Sequence, residues 1–348
     1  MTDPVDHAPG PAPTPLAELT TLGVGGPPDD LVIADNTEHL VAEVAAADQA
    51  ADPLLLLGGG SNVLVGDAGW PGRALLIRSR GVNWADSDAI TVAAGENWSD
   101  FVDTAVSAGL SGIEALAGIP GLVGATPIQN VGAYGQEVAS VIRSVHVYDR
   151  LTQQPQQLTS AECRFGYRTS LFKDTPGRFV VLDVTFALRQ TSRSQPIAYA
   201  ELAKALSVSQ GETAPLGATR NAVLALRRRK GMVLDANDAD SRSAGSFFTN
   251  PILSPKAAEQ LPPEAPQYPG TTGVKTSAAW LIENAGFTKG YRNGNAQLST
   301  KHTLAITNPG AASAAEVLQL ADEIRQAVDK KFGIVLEPEP VLVNCSLS

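Results

Sequence analysis

The sequence predicts an α+β chain in two parts, and three observations carry this reading. Short leucine-rich or β-branched runs alternate with amphipathic helices through the first half. Two glycine-rich segments interrupt that pattern and have no period of their own. A capped helix with a buried stripe then dominates the last third. At 348 residues and 43% hydrophobic content, the chain is long enough for about two packed cores.

In order, residues 31–34 read as a strand, 38–49 as an alanine-rich helix, and 54–57 as a second strand. Further strands are expected at 75–78 and 90–94. Residues 98–108 fit a helix with Phe101, Val102, Ala105 and Val106 on one face. The β-branched runs 141–148 and 179–188 read as strands. A polar break at 190–195 is the expected boundary, giving a tail over 1–15, a first domain over 16–190 and a smaller second one over 191–348. In the second, helices are expected at 199–206, 221–230 and 277–284. Ser313 and Glu316 form a capping box that opens a helix running to about Phe332, with Val317, Leu320, Ile324 and Val328 as its buried stripe. A strand is expected at 334–336, and residues 235–243 read as a mobile polar loop.

Composition narrows the chemistry. A net charge of −10 argues against nonspecific nucleic-acid or anionic-membrane partners, and the run Arg227–Arg228–Arg229–Lys230 is the main basic exception. Cys163 and Cys345 are far apart, so neither a disulfide framework nor a Cys-x-x-Cys site is expected, and a reducing, cytoplasmic setting follows. No apolar run approaches the ~20 residues of a membrane span. The proline-rich start, with Asp3 and Asp6, reads as a disordered tail rather than a secretory signal. The four histidines lie at 7, 39, 146 and 302, so no metal site is expected. Rossmann, Walker A and nucleophile-elbow motifs are absent.

The glycine segments are the informative part. Gly58, Gly59 and Gly60, followed by Ser61 and Asn62, close the apolar run 54–57. Residues 118–135 carry Gly118, Gly121, Gly124, Gly132 and Gly135 with Pro120 and Pro127 and no charge. Glycine admits positive φ and close backbone approach, and turned backbone aims N–H groups at an anion. Together the two segments suggest a large phosphate-bearing cofactor.

Beside these stand Ala94-Gly-Glu-Asn-Trp98, Ile119-Pro-Gly121, Pro127-Ile-Gln-Asn-Val-Gly-Ala-Tyr-Gly135 and Glu162-Cys-Arg-Phe-Gly-Tyr-Arg168. Ala244-Gly-Ser-Phe-Phe-Thr-Asn-Pro251, Ala279-Trp-Leu-Ile282 and Leu336-Glu-Pro-Glu339 follow. In this order and spacing, over about residues 16–343, the chain resembles the UDP-N-acetylenolpyruvoylglucosamine reductase family. The resemblance implies a two-part FAD-binding domain of the vanillyl-alcohol-oxidase type, then a smaller α+β substrate-binding domain. It implies noncovalent FAD, NADPH as co-substrate, and reduction of UDP-N-acetylglucosamine enolpyruvate to UDP-N-acetylmuramate for peptidoglycan synthesis by a monomer. It points to Gly58, Gly59, Gly60, Ser61, Asn62, Gly121, Gly124, Gln129, Asn130, Gly132, Tyr134 and Gly135 for the flavin.

By the same resemblance, Arg168 holds the substrate carboxylate and steadies the enolate, Ser246 protonates the carbon, and Glu339 assists. Tyr199 matches the tyrosine that a longer subfamily folds over its substrate; Lys230, Asn250 and Lys289 match positions holding the diphosphate and uridine. His302 stands where other members carry glutamine or another polar group, and its role is open. Taken singly, Arg168 reads as a surface ion-pair former, Ser246 as a turn residue and Glu339 as a solvated acid. A related noncovalent-FAD oxidase is the alternative. Covalent attachment is not expected, because no histidine lies between His39 and His146 and no cysteine precedes Cys163.

Overall fold

Leu54–Leu57 forms a strand at one edge of a three-stranded parallel sheet, with Trp70–Ile77 in the centre and Pro28–Ala34 at the other edge. The computed structural model describes residues 14–86, 89–270 and 272–348, so most of the expected tail lies outside the described residues. The helix Thr37–Ala50 connects the two edge strands; Asn36 caps it by accepting from the His39 N–H at 2.8 Å. Its Leu40 and Val44 pack with Leu75 and with Val180 and Leu182 of the neighbouring sheet. The central strand starts well before the expected 75–78. Pro71 and Gly72 give that stretch the look of a turn, and sheet pairing overrides the local signal.

The second sheet is five-stranded and antiparallel, in the order Gln154–Thr159, Ile142–Asp149, Phe179–Phe186, Ala89–Ala93, Val82–Asp86. The edge strand Gln154–Thr159 has no apolar alternation to reveal it, and an edge tolerates its Pro155. The helix Trp98–Ser107 closes the buried face with Trp98, Phe101 and Phe186 in mutual ring contact.

Helices beyond the polar break pack on this same core. Ala200–Leu206 and Leu216–Arg229 contribute Leu202, Ala203, Val223, Leu224 and Leu226 to it. By packing, the division expected at Gln190 is therefore not a division between cores. The second core draws on residues from Ala244 onward, with Leu22, Val24 and Leu64 from the first half. It is built on small sheets and the helix Ala314–Phe332, whose capping box is present and whose expected stripe is buried.

Two local expectations are corrected. Residues 334–336 form no strand; pairing begins only beyond them, where the Glu337 carbonyl accepts from the Thr249 N–H and Pro338 bridges to Phe248. The last strand is Val341–Val343, parallel to Val63–Val65 of the first half. The polar loop 235–243 is pinned: Asp240 accepts from the Thr300 N–H and hydroxyl at 2.7 and 2.5 Å, and Asp238 pairs with Lys301 at 2.6 Å.

Candidate active site

The first glycine segment turns where only glycine fits. Gly60 has φ +62, and a Cβ there would lie 2.1 Å from the Leu19 carbonyl. The second segment presses against the first: a Cβ on Gly59 would sit 2.8 Å from the Gly121 Cα. Ser61 fastens the contact by donating from Oγ to the Pro120 carbonyl at 3.0 Å. Among the described residues, the N–H groups of Gly59, Gly60, Ser61 and Asn62 donate to no backbone carbonyl. Turned backbone with uncommitted donors suits a diphosphate, so this cradle fits a dinucleotide such as FAD.

Other glycine-segment residues support the backbone. Gly124 donates to the Ala94 carbonyl at 2.9 Å, and a Cβ on it would strike the Ala94 Cβ at 2.5 Å. Asn130, buried with φ 47, spends its side chain on Glu137 Oε2 and the Gly166 carbonyl at 2.8 and 3.0 Å, and accepts from the Ala139 N–H at 3.1 Å. That makes it a pin for the loop. Gln129 Oε1 accepts from Asn62 Nδ2 at 3.1 Å, which joins the two segments a second time.

Arg168 sits in a tight turn closed by Gly166 and Thr169, with φ +53. A non-glycine residue in that region is strained, and such strain gathers at functional sites. Its Nη2 donates to the Gly132 carbonyl at 2.8 Å, and its Nε lies 3.3 Å from Glu339 Oε1. Burial pushes the Glu339 carboxyl above its usual range, while Arg168 and Lys173 pull against that rise.

Glu339 arrives on the C-terminal segment that follows the helix Ala314–Phe332. Its N–H donates to the Phe247 carbonyl at 2.9 Å, directly beside Ser246, and its carbonyl accepts from Asn62 Nδ2 at 3.3 Å. Ser246 is half-buried after Gly245, whose φ is +78 and beside which a Cβ would meet open space. The fold thus gathers Arg168, Glu339, the Ser246 segment and the first glycine segment from distant parts of the chain.

The expected substrate contacts fall into two groups. Tyr199 is 48% exposed and packs edge-to-face on Tyr134 at 6.1 Å, while Lys230 Nζ lies 5.9 Å over the Tyr134 ring. Lys230 pairs with Glu201 at 2.7 Å. His302 joins them: burial and then the charges of Lys230 and Lys289 lower its pKa to about 4. Asn250 makes up the second: it accepts from the Ala278 N–H at 2.9 Å, bonds to Tyr167, on which Tyr199 also acts, and lines a cavity of about 830 Å³ with Tyr167, Arg168 and Lys173. A smaller concavity, about 450 Å³, lies on the polar face of the five-stranded sheet around Arg143 and Thr185, away from these residues. Gly135, with φ +88, leaves no room for a Cβ against Ala198 and Tyr199.

Sequence reasoning missed Tyr167 and Arg227. Tyr167 adjoins Arg168 in the motif, and its ring lies under Lys275 Nζ at 4.9 Å. Arg227 was visible only as part of a basic run. No group of residues able to hold a metal occurs among the described residues.

A family model for an FAD binding domain matches residues 28–151, and one for the C-terminal domain of UDP-N-acetylenolpyruvoylglucosamine reductase matches 237–343. The chain is 52% identical to the UDP-N-acetylenolpyruvoylglucosamine reductase of Thermobifida fusca, over 96% of this chain and 98% of that one. It is 51% identical to that of Streptomyces avermitilis, over 96% and 94%. The crystal structure of the Thermus caldophilus UDP-N-acetylenolpyruvylglucosamine reductase matches with a TM-score of 0.66 and 28% identity, over 95% and 97%. An FAD-binding portion precedes the family's C-terminal domain, and the chain belongs to the UDP-N-acetylenolpyruvoylglucosamine reductase family.

Proposed function

We propose that this chain reduces UDP-N-acetylglucosamine enolpyruvate to UDP-N-acetylmuramate with NADPH, using noncovalent FAD held by the two glycine segments. FAD supplies the two-electron carrier between NADPH and the enolpyruvyl double bond. The side chains bind, orient and move a proton. Arg168 takes the substrate carboxylate through its guanidinium fork and stabilises the negative charge that builds as hydride reaches the vinyl carbon. A second carboxylate on Arg168 raises the proton affinity of Glu339 further, so Glu339 assists as an acid or a hydrogen-bond donor. Ser246 delivers its hydroxyl proton to the neighbouring carbon and recovers one from solvent. Tyr199, Lys230, Lys289 and Asn250 grip the uridine diphosphate end, and Tyr199 caps it as in the longer subfamily. The backbone of Gly58 to Asn62, with Gly121, Gly124, Gln129, Asn130, Gly132, Tyr134 and Gly135, forms or braces the flavin cradle.

The Arg168–Glu339 pair, 3.3 Å apart and tied through Asn62 to the flavin cradle, carries this reading. We further place the enzyme as a monomer in the cytoplasm, where both nucleotide substrates are made; its net charge of −10 suits neither nucleic acid nor an anionic membrane. Purified protein should release unmodified FAD on denaturation and, with oxygen excluded, oxidise more than one NADPH per flavin only when the enolpyruvyl nucleotide is present. Flavin retained on the acid-precipitated polypeptide, or substrate-independent turnover, refutes it.

A further inference from the structure

Glu114 opens the single-turn helix Glu114–Leu116, just ahead of Gly118 and Gly121 of the second glycine segment. Its side chain is fully buried, and among the described residues its carboxyl meets uncharged donors alone. Oε2 accepts from the Gly112 N–H at 2.7 Å, Oε1 accepts from the Gln195 N–H at 2.8 Å, and the Ser111 hydroxyl reaches both oxygens at 3.3 Å. Ser111 and Gly112 are local partners. Gln195 is not: it lies 81 positions away, in the polar segment that leads into Tyr199. Among the described residues, this is the one hydrogen bond from 192–199 to 110–137.

The next residue completes the geometry. The Ala115 N–H donates to Gln136 Oε1 at 2.8 Å, and Gln136 directly follows Tyr134 and Gly135. Two adjacent residues of one short helix thus reach the chain just before Tyr199 and the chain just after Tyr134, whose rings meet edge-to-face. The space between is filled: a Cβ on Gly135 would lie 2.7 Å from the Ala198 Cβ and 3.5 Å from the Tyr199 ring. Ile197, buried in the first core, seats the same segment. A buried carboxyl is costly unless its oxygens are bonded, and a carboxylate only accepts, so it can satisfy N–H groups from two segments at once. We propose that Glu114 is a positioning residue for the Tyr199 cap. It clamps the segment before the tyrosine to the start of the second glycine segment, so this anchorage, and not contact with substrate, stands Tyr199 over Tyr134. The inference rests on Tyr199 capping the nucleotide end of the substrate.

The first measurement is backbone amide exchange over residues 192–199 in wild-type holoenzyme, before and after the enolpyruvyl nucleotide is added. The segment should be protected already without nucleotide. Exchange that is fast there and slows only on addition overturns the proposal, because substrate would then place the tyrosine; this result needs no variant to fold. Glu114→Gln puts an amide where one N–H needs an acceptor. It should speed exchange over 192–199 and weaken nucleotide binding, read by flavin absorbance, each by about fivefold, the scale of one net hydrogen bond. FAD affinity and flavin reduction by NADPH should stay as in wild type. Ser111→Ala, which spares the Gln195 bond, should change neither exchange nor nucleotide affinity. In a Tyr199→Ala background, Glu114→Gln should weaken the nucleotide no further, since residues acting through one another are not additive. Additive losses, weaker FAD binding in Glu114→Gln, or equal losses in Ser111→Ala would make Glu114 a structural brace and overturn the proposal. Normal nucleotide affinity in Tyr199→Ala alone overturns the capping role itself, and that failure is told apart because Glu114 is untouched.

Discussion

Ser246 follows a glycine that opens on empty space and precedes Phe247 and Phe248, both buried, so packing on its C-terminal side fixes its backbone. In the proposed role its proton is needed only when the substrate is reduced. Ser246→Ala should leave flavin reduction by NADPH near normal and slow reoxidation by the enolpyruvyl nucleotide by ~10²–10⁴-fold, read by stopped-flow absorbance. Equal slowing of both half-reactions would show damage to the cradle instead. Tyr199 tests recognition rather than chemistry. It stands at the N-cap of Ala200–Leu206 with its ring on Tyr134, half exposed over the second glycine segment. Tyr199→Phe keeps the ring and removes one hydroxyl, so substrate affinity should fall by about 1 kcal/mol. Unaltered affinity in a flavin-absorbance titration would make Tyr199 a packing residue.

The two glycine segments act as one element because their backbones touch at Gly59 and Gly121. Gly59→Ala puts a methyl 2.8 Å from the Gly121 Cα, and neither loop can yield without spreading the cradle. FAD affinity should fall at least tenfold by fluorescence titration of apoprotein, while the melting temperature of the apoprotein changes little. The strand Ile142–Asp149 carries a different control. The Arg178 guanidinium, with help from the Leu151 N–H, holds the buried Asp149 carboxyl below its ordinary value of 3.8 despite burial. A depressed folded value gives stability that is present above 3.8 and lost as pH falls through the folded value. Asp149→Asn should therefore cost about 1 kcal/mol at neutral pH, a modest figure because Arg178 is exposed and screened. The gap to wild type should close as urea melts are repeated toward pH 3, near or below an ordinary carboxylate value. A gap that stays constant with pH would remove the ion pair as its cause.

Across the whole molecule, the two halves are fastened by a strand from each. Val341–Val343 pairs in parallel with Val63–Val65, and Leu64 is fully buried in the second core. Asn62, one residue before that strand, also binds the Glu339 carbonyl. Leu64→Ala should cost about 2–5 kcal/mol as a cavity in a packed core. It should lower FAD occupancy as well, although Leu64 belongs to the second core by packing. Urea melts followed in parallel by flavin and tryptophan signals measure both effects. Independent, unshifted flavin release would show the halves to be uncoupled.

Much of this was legible locally. The capping box at Ser313 and Glu316, the helix stripe beneath it, the strand 54–57 and the glycine segments are patterns of a few neighbouring residues, and local sterics and burial of one face are enough to fix them. The ordered motifs likewise pointed to Arg168, Ser246 and Glu339, of which the fold brings Arg168 and Glu339 into contact. Other features were not legible because their partners lie far away in sequence. Gln154–Thr159 is a strand only because Ile142–Asp149 offers its ladder, and Val341–Val343 only because Val63–Val65 does. The helices after the polar break join the first core because their apolar faces fit there, a choice no local pattern records. The inward turn of Arg227, apart from its exposed neighbours Arg228 and Arg229, is of the same kind: charge comes from the sequence, but tertiary packing decides which of three arginines loses its water.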